Sequence, residues 1–211
     1  MAEGSTEYPM NLSIDYPDRN LDKLSTFFRI LWAIPIWIVL ALLVGTTFAW
    51  EEDPWWFQGY GIGLFVILPT LLMIVFRQKY PRWWYDWNLA IARFATRFVA
   101  YLALLRDEYP STDEEQAVHL DIPYPNARDD LNRWLPLVKW LLAIPHYIVL
   151  WFLAIAAIVV VIVSWFAILF TGRYPKDLFD FVVGVFRWYL RVAAYAFLLT
   201  TDRYPPFRLS E

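Results

Sequence analysis

The sequence predicts an all-α integral membrane protein made of two tandem repeats. Each repeat reads as a transmembrane helical hairpin followed by an amphipathic, arginine-bearing interfacial helix, with a short β-strand at its start. Three observations lead there. Of 211 residues, 59% are hydrophobic and 20% aromatic, and only 18% are charged, against about 25% charged in an ordinary soluble domain. Long uncharged runs recur along the chain. The chain also repeats its own words in one order.

The repeat frames the other elements. Tyr16-Pro17 and then Arg29 to Pro35 match Tyr124-Pro125 and then Lys139 to Pro145. Lys79-Tyr80-Pro81 matches Arg173-Tyr174-Pro175. Leu104-Leu105, Asp107 and Tyr109-Pro110 match Leu198-Leu199, Asp202 and Tyr204-Pro205. A fixed order of matched words at a nearly constant offset is the mark of duplication. The boundaries are 1–110 for the first repeat, an acidic linker at 111–116, and 117–211 for the second, on the same plan with a tighter hairpin.

Each repeat opens on apolar residues at alternate positions: Leu12 and Ile14, then Val118, Leu120 and Ile122. Period two predicts a short strand. The two strands could pair outside the bilayer, or the segments are extended linkers.

Ile30 to Trp50 and Gly59 to Phe76 are uncharged and long enough to cross about 30 Å of hydrocarbon. Glu51 to Trp56 between them reads as an acidic turn with an interfacial tryptophan pair. In the second repeat Trp140 to Gly172 holds no charge. As one helix it would extend roughly 50 Å. As two it lacks a turn former near Ala154 to Ala157. Lysines and arginines cluster before Ile30, after Phe76, before Trp140 and after Gly172. By the positive-inside rule both ends of each apolar region face the cytoplasm. The expected arrangement is therefore two hairpins in a multi-pass protein of the inner (plasma) membrane, with both termini cytoplasmic.

After each hairpin comes a segment with one thin charged stripe. Asp86, Arg93 and Arg97 stand at intervals of seven and four, as do Asp180, Arg187 and Arg191. At 100° per residue each trio falls within about 40° of arc. These six residues are the candidate polar site, facing lipid headgroups or the bundle interior. The segment lies in the interface with its arginines snorkelling, or spans with the stripe turned inward, or pairs its charges within the bundle. His146, after Pro145, is a candidate polar site in the membrane, or a side chain bonded to the carbonyl that Pro145 frees. His119 belongs to the second strand and faces solvent.

Composition also excludes functions. The chain has no cysteine and two histidines, so thiolate chemistry, disulfides and multi-histidine metal sites are out. Net charge is −3, with no basic footprint for nucleic acid. No cofactor is expected. The chain shows no nucleophile elbow, phosphate loop or zinc motif, and no enzyme activity is expected. The expected role is a scaffold, accessory subunit or lipid-interacting module. The expected partners are membrane lipids, anionic by preference, with further proteins or a second copy as other candidates. The alternative is a small transporter or channel component with the Asp/Arg stripes facing a cavity.

At Leu142 to Leu150, Thr171 to Pro175 and Thr201 to Phe207 the sequence resembles DUF4389, a family of bacterial and archaeal membrane proteins of unknown function. The resemblance covers nearly all of the second repeat and, more loosely, the first. The first repeat departs at Ile36, where the family pattern has histidine, and in its acidic loop after Trp50. The resemblance implies a prokaryotic membrane protein and no particular activity.

Overall fold

The computed structural model describes residues 8–44, 63–112 and 114–210, with the side chains of 41–44 and 63–66 left aside. In chain order the elements are β1 (Asn11–Ile14), α1 (Lys23–Val44), α2 (Gly63–Arg77), α3 (Arg82–Leu102), β2 (Val118–Asp121), α4 (Pro136–Leu142), α5 (Ile144–Thr171) and α6 (Lys176–Ala196). The acidic turn expected at Glu51 to Trp56 lies outside the described residues.

The alternating segments do form strands. β1 and β2 pair antiparallel, Leu12 opposite Leu120 and Ile14 opposite Val118. Those four side chains are buried, while Asn11, Ser13, His119 and Asp121 are exposed. One apolar face and one wet face suit an antiparallel pair. His119 faces out beside Asp15, 3.7 Å away.

The hairpin expected in the second half is corrected. Residues 144–171 run as one helix of 28 residues, about 42 Å long at 1.5 Å per residue. Its middle carries neither Gly, Pro nor a polar residue that would offer the backbone a turn. Pro145 does not interrupt the helix but sits in its first turn, where its missing N–H costs nothing. Gly172 ends it in a left-handed cap at φ 76°, the conformation in which glycine carries no Cβ penalty.

In the first half Arg29 in α1 lies at the far end of α3, bonded to the carbonyl of Tyr101. Ala33, Ile36 and Leu40 then cluster with Phe94, Phe98 and Tyr101, so α1 runs against α3. α2 meets the first turn of α3, where Thr70 accepts from the Trp84 indole, and it also contacts α4. The connection between α1 and α2 lies outside the described residues. In the second half α5 runs against α6 along its whole length. Ala143 and Leu150 cluster with Trp188, Val192 and Tyr195, and Ile168 with Phe179 and Val182. α1 and α5 are antiparallel neighbours, joined by the Trp165 indole on the Thr26 carbonyl at 3.1 Å.

The result is layered. α1, α2, α4 and α5 form a floor, α3 and α6 lie on it, and the sheet lies on α3 and α6. β2 contacts α3 and β1 contacts α6. On α6 the residues that meet α5 (Trp188, Val192, Tyr195) and those that meet the sheet (Val183, Arg187, Leu190, Ala194) fall on opposite sides, as 100° per residue requires.

The C-terminal tail closes the side of α6 at Gly184. A Cβ there would stand 2.9 Å from the Leu209 Cβ. Overpacking typically costs 1–3 kcal/mol, against about 1 kcal/mol gained in helix propensity. Gly184→Ala is therefore expected to cost a net loss of up to about 2 kcal/mol and to expose residues 206–210 to protease. A tail as protected as in wild type would mean that this contact does not hold it.

Candidate functional site

Each residue of the two stripes has a defined place. Arg93 donates through Nε to the Leu120 carbonyl at 2.9 Å, and Arg187 through Nε and a terminal nitrogen to the Leu12 carbonyl at 3.3 and 3.2 Å. Arg97 donates to the Ser111 carbonyl at 2.8 Å. Arg191 is 2% exposed and donates to the carbonyls of Arg208 and Ser210. The arginines thus tie the strands and tail to α3 and α6, and the sheet's outward carbonyls gain charged donors worth more than neutral ones. Asp86 and Asp180 stay apart from them. Each is exposed and pairs one turn back, Asp86 with Arg82 and Asp180 with Lys176.

Two buried clamps carry no sequence expectation. Arg29, 2% exposed, meets Asp107 and lies over the Tyr101 ring at 4.3 Å. Lys139, fully buried, meets Asp202 at 2.7 Å and lies over the Tyr195 ring at 5.1 Å. Asp107 and Asp202 also accept from the backbone N–H groups of Asp22 and Asn132. Each clamp fastens the start of a floor helix to the chain leaving α3 or α6. The signal was present: Arg29 and Lys139 head one pair of matched words, and Asp107 and Asp202 stand inside another.

Two tyrosines cross between the halves. Tyr16 donates to the Tyr174 carbonyl with its ring edge-on to Phe179, centroids 5.1 Å apart. Tyr124 donates to the Tyr80 carbonyl with its ring edge-on to Tyr85, again 5.1 Å apart. The Tyr-Pro pairs therefore also carry inter-half bonds.

His146 is fully buried. Its Nδ1 accepts from the Trp188 indole at 3.0 Å, and its ring stacks on Phe207 at 3.9 Å. It is the indole, not the carbonyl freed by Pro145, that this nitrogen meets. Nε2 is buried with no hydrogen-bond partner among the described residues.

Among the described residues no three His, Asp or Glu side chains are grouped to hold a metal. The crevice between Tyr80, Tyr85, Asn88 and Thr200 has no room for a water molecule.

Burial raises the phenol pKa of Tyr8, Tyr80, Tyr174 and Tyr195, and pushes Tyr85 up to about 12. A raised folded pKa contributes stability that is complete below the unfolded value near 10 and is lost as pH climbs through the folded value. Burial lowers Lys139 despite Asp202, which acts in the opposite sense. Burial raises Tyr147 as well, and the raised phenols outnumber the one lowered amine, so stability should fall between about pH 10 and 12. A thermal-unfolding midpoint that stays level across that window would contradict this.

Among the described residues the floor presents a broad apolar face with no partner. Along α5, Ile144, Ile148, Trp151, Phe152, Ile155, Ile158, Val159, Ile162, Phe166 and Phe170 are all exposed, on the side opposite buried His146, Ser164 and Ile168. Beside it α1 exposes Phe27, Ile30, Leu31, Trp32, Trp37 and Ile38. Lys23–Leu40 and Ile144–Thr171 are each apolar and long enough to cross a membrane, and the latter is 11% buried in its most apolar window. A core helix of a soluble protein would bury most of such a surface.

Residues 134–208 match the family model of a domain of unknown function, DUF4389. The match takes in α4, α5 and α6 and covers one copy, in the second half of the chain. No curated protein and no solved structure matches this chain.

Proposed function

We propose that this chain is a non-enzymatic membrane module, a scaffold or accessory protein held to lipid by the exposed floor of α1 and α5. One observation carries the reading: the α5 stripe from Ile144 to Phe170 is exposed and uncharged over its whole length. At about 25 cal/mol per Å² of apolar surface removed from water, such a face favours lipid strongly. Against transport stands the engagement of the stripe arginines by backbone carbonyls, which leaves those groups turned to the protein. The test is recovery in the membrane fraction after a carbonate wash, followed by flotation with liposomes of neutral lipid. The module should float. A protein left at the bottom of the gradient would end this reading.

The same reading takes the chain as two copies of one unit that exchange their first strands. Supporting it are the paired clamps Arg29–Asp107 and Lys139–Asp202, and the crossed bonds of Tyr16 and Tyr124. Arg93 and Arg187 make further paired bonds, to Leu120 and Leu12. Leu104 and Leu199, after α3 and α6, both adopt a left-handed backbone, φ 64° and 56°. In this scheme α1 and α2 together correspond to α4 and α5, with the first copy carrying an insertion where α5 is continuous.

A further inference from the structure

We propose that the protein lies flat in one leaflet and does not cross the bilayer. The sheet and both ends of the helices then share a single aqueous side. This rests on the membrane reading above and deepens it. The occupant of the floor is a lipid surface with anionic headgroups.

Three observations lead to the flat pose. First, the sheet sits at the middle of the helices. Arg93 and Arg187, which hold it, are central in α3 (82–102) and α6 (176–196). Stood upright with α5 across the membrane, α3 and α6 run beside it, and the sheet falls near the bilayer midplane. A two-stranded sheet has two open edges, and lipid-exposed sheet edges do not occur at that depth. The exposed Asp15, His119 and Asp121 would be there as well. A carboxylate at the centre costs about 2.5–3.5 kcal/mol on the insertion scale.

Second, basic residues stand at both ends of the floor. Lys23 caps the end of α5 through the Phe170 carbonyl, and Arg173 is bonded beside it to Asn20. Arg133 caps the end of α2 through the Val75 and Phe76 carbonyls, next to exposed Arg77. The positive-inside rule then places both ends on one side. The upright pose would send one basic end across; the flat pose places both against anionic headgroups.

Third, apolar exposure and polar exposure lie on opposite faces. The floor's exposed face is uncharged along α1 beyond Lys23 and along α5, and the sheet's outer face carries Asn11, Ser13, Asp15, His119 and Asp121. An in-plane element buries its apolar side roughly 5–10 Å deep, about one helix diameter. That depth suits a floor one helix thick.

The absence of cysteine makes the test direct. Ser13→Cys reports the sheet, Asp177→Cys the end of the floor at Arg173, Arg128→Cys the opposite end, and Ile158→Cys the middle of the α5 stripe. All four sites are exposed in the fold, so these variants should keep it. Full labelling of the first three in detergent confirms that each thiol can react. Sealed right-side-out and inverted vesicles, washed with carbonate, are treated with a membrane-impermeant maleimide. The flat pose predicts that Ser13→Cys, Asp177→Cys and Arg128→Cys label from the same face, with at least tenfold less from the other, and that Ile158→Cys labels from neither. Labelling of Asp177→Cys and Arg128→Cys from opposite faces would overturn the flat pose and leave the membrane reading intact. Release of the protein by the carbonate wash, with Ile158→Cys freely labelled in the soluble fraction, would overturn both.

Discussion

Asp202→Asn should lower stability by about 3–5 kcal/mol, the cost of leaving a buried charge without its partner. Lys139 is fully buried and meets Asp202 at 2.7 Å. Its remaining neighbours are the Thr201 carbonyl and the Tyr195 ring, which cannot neutralise an ammonium. Asparagine keeps the shape and an acceptor for the Asn132 N–H but removes the charge. The check is a second substitution. Lys139→Met with Asp202→Asn removes both charges and should recover most of the loss, because a buried ion pair replaced by apolar side chains of similar volume is often neutral. Thermal unfolding in detergent measures both. A single variant as stable as wild type would mean that the lysine reaches water or is neutral. Recovery by the double variant separates electrostatics from simple loss of packing.

Ile158→Lys should weaken membrane partitioning by up to about 10²-fold. Ile158 is 60% exposed at the centre of the α5 stripe, so the lysine enters without disturbing the protein core and should leave folding intact. Its ammonium costs about 2.5–3.5 kcal/mol at the bilayer centre, and less at the shallower depth of the flat pose, where the side chain can reach the headgroups. Flotation with neutral liposomes at graded lipid concentration reads the shift. Lysine at Ser13, on the wet face of the sheet, is the matched control and should leave partitioning unchanged. Equal effects at both positions would mean that the floor is not what meets the lipid.

Several features were legible because they depend on local pattern. Alternation at Leu12 and Ile14 and at Val118 and Leu120 specified strands with one buried face, and the register of the pair keeps that face inward. The seven-and-four spacing of the stripe charges put them on one side of a helix, as α3 and α6 have them. The apolar class followed from composition. That 144–171 runs as one helix was not legible. A charge rule fixes on which side of a membrane a segment's ends lie, but it does not say whether the segment turns back or lies flat. With both ends of an uncharged run basic, a hairpin and an in-plane helix satisfy it equally.

What the arginines hold was also beyond the sequence. Spacing says where a guanidinium stands on its own helix. It says nothing of the carbonyl that a strand more than a hundred residues away brings to Arg187. The clamps sit between these cases. Arg29, Lys139, Asp107 and Asp202 stood in matched words, yet only burial turns those charges into partners.

The sequence by itself determined the periodicities, the excess of apolar surface, the places where Pro and Gly start and stop helices, and the match of residues 134–208 to a domain of unknown function. These are properties of neighbours along the chain. Tertiary structure alone decided that 144–171 stays one helix. It also decided that each strand lies on the opposite half's helix and that the uncharged stripe of α5 is left facing outward. Those outcomes depend on which distant surfaces meet, because burial and hydrogen bonding are satisfied between segments and not within them.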